Sequence, residues 1–216
     1  MTDQLRFVAS ILSIFTHELN NHTSIMNESA GLVLDLIEIK GNSEDCGFEQ
    51  ISSVTGGITN QIKKTTTLVK YLNRFAHRMD IPISNYELNE VVEELIMLMN
   101  RVLNQKEIQI DLDLIKDGLI IYGNPSVLQY VIFSIIQGFL SCLKSGDKII
   151  IKTLSVDSNA EIRFQFNSEQ KLSLDIMNAD KKWDYSEYIK QIGAGIVFGA
   201  QGATDLTLTI PLVKEG

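Results

Sequence analysis

An imidazole beside a carboxylate, with an amide one helical turn later, is the set of side chains in this chain best suited to chemistry: His17, Glu18 and Asn21, within Phe15-Thr16-His17-Glu18-Leu19-Asn20-Asn21-His22. A histidine ring can act as a nucleophile, and a carboxylate held against it can fix its tautomer and stabilise the charge that develops. Whether the set is usable depends on where it points. Leu5, Val8, Leu12, Phe15, Leu19, Met26, Val33 and Leu36 recur at steps of three and four or their multiples, the seam of a helix packed in a bundle. With Leu12 as position a and Phe15 as d, His17 falls at f, farthest from the seam, and Asn21 follows one turn on along the same face. His17 is therefore expected to be solvated and within reach of another protein; the plain alternative is a surface histidine in a polar run. His22 falls on the d seam and reads as an interfacial histidine bonding across the bundle. His77, beside Arg78, reads as a helix-end residue facing the C-terminal dipole.

The elements that must position these residues follow from the hydrophobic period. Residues 2–39 read as one helix, and the glycines and small polar residues of 40–47 as a loop. Residues 48–79 read as a second helix with Ile51, Val54, Ile58, Ile62, Leu68, Leu72, Phe75 and Met79 on one stripe, although Gly56-Gly57 weakens it by roughly 1 kcal/mol per glycine. Two such helices make an antiparallel hairpin. Such a hairpin has only one neighbour inside the chain, so part of its apolar stripe needs cover from elsewhere; pairing two hairpins into a four-helix bundle would supply that cover, and a homodimer is expected. Asp80-Ile81-Pro82-Ile83-Ser84-Asn85 breaks the pattern and marks a junction between residues 1–80 and 81–216. Beyond it the sequence predicts a helix from Glu87 to Asn104, strands over 108–114 and 119–122, and a helix capped by Asn124-Pro125 and ending before Gly146. Strands over 148–154 and 161–166 come next, followed by helical spacing from Tyr185 to Val197 and a last strand over 206–212. Lys171 to Asp180 fits no pattern clearly. The second part is thus an α+β layer sandwich, a mixed sheet with helices on one face.

Composition bounds the partners. The 216 residues are 44% hydrophobic and 21% charged, ordinary for a globular protein with a real core. A formal net charge of −8 argues against nucleic acid, whose phosphates need a basic surface. Two cysteines, Cys46 and Cys142, belong to no metal-ligand cluster and fit a reducing compartment. With no visible signal peptide and no apolar run of about 18 residues, a cytoplasmic location away from membrane is expected.

His17-Glu18-Leu19-Asn20-Asn21 resembles the phospho-acceptor box of bacterial sensor histidine kinases, in which a histidine, an acid and a later asparagine or threonine lie on a dimerising hairpin. The order of elements after Pro82 is similar to the ATP-binding domain of those kinases, down to Gly123-Asn124-Pro125 before the main helix and Leu208-Thr209-Ile210-Pro211 near the end. The resemblance covers nearly the whole chain and departs from the family at the nucleotide site. Active kinases carry two asparagines four apart on the main helix, one of which holds magnesium; Ser134 and Gly138 stand at the matching positions, and neither supplies an amide oxygen. Phe166-Asn167-Ser168-Glu169-Gln170 lacks the aspartate and glycines that would contact adenine. The span from Asn167 to Pro211 looks too short for a nucleotide lid together with the closing helix and hairpin. Gly193-Ala194-Gly195 is read as close packing or a turn rather than a remnant phosphate loop. The family's proline just past the acceptor is replaced by His22.

An acceptor box on an intact hairpin, joined to a degenerate ATPase-like domain, resembles the dimeric histidine phosphotransferases of phosphorelays. The resemblance implies reversible phosphoryl transfer between receiver-domain aspartates through His17, without ATP, with Glu18 bonded to the second ring nitrogen and Asn21 orienting the group or a water. It implies no cofactor and no metal or nucleotide site on this chain, since the Mg²⁺ belongs to the response-regulator receiver domain. That receiver would dock around Asn20, Ser24 and Asn27 and, on the second helix, Thr66, Thr67, Lys70 and Arg74. The alternatives are an autophosphorylating histidine kinase with a divergent ATP site and a non-catalytic pseudokinase that sequesters a response regulator.

Overall fold

The computed structural model describes residues 3–40, 47–167, 185–199 and 205–212. Helices α1 (Asp3–Lys40) and α2 (Phe48–His77) pack against one another as an N-terminal hairpin. At the d positions of α1, Val8, Phe15, Ser29 and Leu36 are half-buried and His22 is buried, bonded to Thr65 of α2. Leu5 and Leu12, on the a side, stay 59% and 45% exposed.

After the junction come β1 (Ser84–Glu87), α3 (Leu88–Gln105), β2 (Gln109–Asp113), β3 (Ile120–Gly123), α4 (Pro125–Leu140), β4 (Lys148–Val156) and β5 (Asn159–Asn167). The described chain closes with α5 (Ser186–Gln191), β6 (Gly195–Phe198) and β7 (Asp205–Pro211). Five strands form one mixed sheet in the order β2-β4-β5-β7-β6, with β2 parallel to β4 and the other pairs antiparallel. Along β4 and β7 buried residues alternate with partly exposed ones, so a single face of the sheet carries the core, as the period of two requires. Helix α4 is held at its start by Asn124, whose Oδ1 accepts from the N–H groups of Ser126 and Val127 at 3.1 Å, with Pro125 in the first turn.

Two local readings are corrected. Residues 84–87, read as the end of a break and the start of a helix, form a strand: β1 pairs with β3 in a separate two-stranded ribbon, and Glu87 ends β1 while capping α3, its carboxylate accepting from Asn89 and Glu90. The helical spacing from Tyr185 to Val197 holds only to Gln191. Gly193, at φ +64°, takes the left-handed conformation, with Gly193 N–H bonded to Lys190 and Ala194 N–H to Ile189, a Schellman stop that turns the chain into β6. Gly193-Ala194-Gly195 therefore ends a helix and starts a strand. A short closing helix and a strand pair follow Asn167, and what remains of that span, including 171–180, on which the expected lack of room for a lid turns, lies outside the described residues.

The largest departure concerns how α1 is covered. Phe7 and Ile11, absent from the predicted seam, are 1% and 0% exposed. Phe7 meets Phe75 of α2 edge-on at 5.5 Å, Tyr130 of α4 at 5.7 Å and Phe133 of α4 at 4.9 Å between ring centroids. The hairpin's one neighbour within the chain, the second domain, thus covers part of α1. One continuous core runs from the base of the hairpin into the sandwich, because a second apolar stripe on α1 (Phe7, Ile11, Phe15) has the second domain to cover it.

Candidate functional site

Around His17, α1 is an uninterrupted helix, and the His17 side chain is exposed, as are Asn20, Asn21, Ser24 and Asn27 on the same outer part of the helix. On α2, Thr66, Thr67 and Lys70 are exposed and Arg74 is half-buried. The Thr66 hydroxyl is spent on the Ile62 carbonyl, 2.9 Å away. Thr67 and Arg74 open onto different hollows. Thr67 lines a cleft of about 470 Å³ between the hairpin and α3, whereas Arg74 lines one of about 390 Å³ near the junction. The proposed docking residues are thus spread along the hairpin rather than gathered in one pocket.

The acid of the box is placed differently from its expected role. One oxygen of Glu18 lies 3.2 Å from Nε2 of His22, and the other accepts from Arg101 of α3 at 3.3 Å. The carboxylate is therefore directed toward its own helix seam and the second domain. His22 is 7% exposed and meets Thr65 Oγ1 of α2 at 3.1 Å, a bond across the hairpin of the kind its d position foretells. His77 Nδ1 and Asp80 lie 2.7 Å apart, both largely exposed, so a local hydrogen bond joins the dipole as its setting. Arg101, Thr65, Lys63 and Lys64 were not singled out from sequence. Phe7, Ile11 and Phe15 at i, i+4 and i+8 were the available signal for a docking face, whereas a lone arginine on an amphipathic helix carries none.

At the positions matching the kinase asparagines, Ser134 is 1% exposed and donates to the Tyr130 carbonyl of its own helix at 2.7 Å. Gly138 is buried and has no side chain to offer. Tyr188 of α5 packs on Tyr130 with ring centroids 4.5 Å apart, adding cover to that helix. Among the described residues, no group of three or more His, Cys, Asp or Glu is placed to hold a metal ion. Among them too, no helix is long and apolar enough to cross a membrane.

No protein-family model matches the chain. Among curated proteins it is similar to sporulation kinase E of Bacillus subtilis (strain 168), 21% identical over 158 residues, covering 73% of this chain and 20% of that protein. The chain thus spans about a fifth of that relative's length. Among solved structures it is similar to histidine kinase ThkA in complex with the response regulator TrrA, at 13% identity and a TM-score of 0.51, covering 97% of this chain and 63% of that one. The catalytic domain of ThkA alone matches 61% of this chain and 97% of its own at 14% identity and a TM-score of 0.53. These likenesses speak to the fold. The chain has the fold of a sensor-histidine-kinase core, a helical hairpin followed by an ATPase-like α/β sandwich.

Proposed function

We propose that this chain is a histidine phosphotransferase of a two-component phosphorelay, passing a phosphoryl group between receiver-domain aspartates through His17 without ATP. The observation that carries this reading is a contrast within one fold. The acceptor position is open to solvent on a long helix, while the helix that would hold magnesium and nucleotide offers a serine bonded to its own backbone and a buried glycine. Asn20, Ser24, Asn27, Thr66, Thr67, Lys70 and Arg74 give the receiver its docking surface, and the receiver brings the Mg²⁺. ThkA, of similar fold, is described in complex with a response regulator, which is the kind of partner this surface fits.

The test sets two donors side by side: a phosphorylated receiver, and labelled ATP with Mg²⁺. The expected result is label on the protein from the receiver alone, with no ATP binding detectable by calorimetry at millimolar concentration. Saturable binding of ATP·Mg²⁺ in the micromolar range would favour the autokinase reading, which the curated relative's description as a kinase keeps in play. Function that survives loss of His17 would favour a pseudokinase.

The same reading includes a homodimer. Leu5, Leu12, Ile62 and Val69 leave apolar side chains 59%, 45%, 51% and 38% exposed along the hairpin. A second hairpin would cover them as a four-helix bundle. Light scattering should give twice the mass of the chain at micromolar concentration, and Leu12→Asp should halve it. A monomeric unsubstituted protein would sink the bundle.

A further inference from the structure

Glu18 belongs to the acceptor box by sequence but to an interdomain chain of contacts by position. Thr65 on α2, His22 and Glu18 on α1, and Arg101 on α3 form a continuous line through distances of 3.1, 3.2 and 3.3 Å. The His22 Nε2 that faces a carboxylate oxygen carries the proton of that contact, and Nδ1 meets Thr65 Oγ1, whose own hydrogen goes to the Gln61 carbonyl at 2.9 Å. Both Glu18 oxygens are thereby occupied, one by the buried histidine and one by a guanidinium from the second domain.

We propose that Arg101 is a positioning residue of the acceptor box: with His22 it holds the Glu18 carboxylate off His17, and its release frees one oxygen for the His17 ring. This rests on the reading of His17 as acceptor. The agent of release is an anionic group brought to the box. A guanidinium can exchange a carboxylate for phosphoryl oxygens, which match its fork of donors equally well. The cleft already favours negative charge. Lys63 and Lys64 line it together with Arg101, neither lysine has a carboxylate partner among the described residues, and its one acid is Glu18. A phosphorylated aspartate arriving at His17 carries the required charge. The P–O bond to the aspartyl carboxyl then breaks as a P–N bond forms to the unprotonated nitrogen of His17. Aspartate leaves as a carboxylate, and the N–H on the other ring nitrogen is held by the freed Glu18 oxygen. The second domain would thus act on the acceptor without binding nucleotide.

The test reads imidazole N–H resonances by NMR on isotope-labelled histidine and needs no phosphoryl donor. The unsubstituted protein should show a solvent-protected N–H from His22 and none from His17. Arg101→Gln should add a protected His17 N–H, Arg101→Lys should restore the original spectrum, and the double variant Arg101→Gln with Glu18→Ala should lose the new signal. Glu18→Ala alone should also remove protection at His22, so the contact is checked even if the arginine variants fold poorly. A His17 signal already present without substitution, none in a folded Arg101→Gln protein, or one that persists without Glu18 would overturn the proposal. Failure of the unsubstituted protein to accept a phosphoryl group from a receiver would instead sink the acceptor reading, and the resonances would still decide what Arg101 does.

Discussion

His17→Gln is expected to reduce phosphoryl acceptance from a phosphorylated receiver to background while leaving the folded protein intact. Glutamine keeps polarity at an exposed helical position but has no nucleophilic nitrogen, so the chemistry is lost with little change in packing. Exposed substitutions of this kind shift stability by only about ±0.5 kcal/mol, and the melting transition should hardly move. Glu18→Gln should be partial by comparison, slowing transfer by roughly 10²- to 10⁴-fold if the carboxylate handles the ring proton. His22→Gln should show the reverse balance, with lower stability and continued acceptance by the folded fraction, since His22 is buried and bonded across the hairpin. Peptide mapping after transfer decides among the three histidines: label on His22 or His77 with His17 unmodified would refute the assignment.

The second large effect is predicted where the hairpin meets α3. Arg78, at the end of α2, donates to both oxygens of Glu94 at 3.2 and 2.9 Å and to Glu90 at 2.9 Å. Glu94 is 0% exposed, and Gln129 approaches it at only 3.4 Å, so Arg78 supplies nearly all of its compensation. Arg78→Ala would strand that carboxylate in the core, at a cost of about 3–5 kcal/mol, a large part of the stability of most domains. Denaturant unfolding should read this directly, and a loss under about 1 kcal/mol would mean that water reaches Glu94. Replacing both partners by apolar residues, Arg78→Met with Glu94→Leu, should recover much of it, because a buried pair matters most when half of it is missing. Bonding to Glu94 first, and to Glu90, holds the Arg78 guanidinium above its ordinary pKa despite partial burial. A folded-state pKa raised in this way gives stability that is complete below the ordinary arginine value and is lost only as the pH rises through the raised one. The arginine's contribution should therefore be flat across the neutral range.

What could be read in the sequence depended on whether a residue's role is periodic. The hairpin, the capped α4 and the strands of the sheet other than β6 declared themselves through steps of three and four, through alternation, and through Asn124-Pro125. His22 was legible for the same reason, since the seam register alone sends it inward. β1 escaped because four residues are too few to establish a period, and because Glu87 acts as strand end and helix cap at once. The false extension of α5 came from Ile192, Ile196 and Val197, whose spacing suits a helix although Gly193 halts it. Arg101 and Arg78 were illegible as partners of Glu18 and Glu94. A pairing between residues 83 and 16 positions apart depends on how two helices cross, and no local pattern encodes that.

The shared core at the base of the hairpin bears on how the molecule opens and closes. Pro82 divides the chain by composition, yet Phe7, Ile11 and Phe75 are enclosed by residues from beyond it. A cut at that proline would separate two pieces that each keep a face of one apolar interior. The cooperative unit therefore runs from the first turns of α1 through the sandwich, and the far ends of the hairpin, around Leu34, Ile39 and Phe48, lie outside it with 67%, 75% and 73% exposure. Amide protons should exchange slowly near Ile11 and Phe75 and progressively faster toward residues 39 and 48, so the helix that carries His17 is anchored at one end and frays from the other.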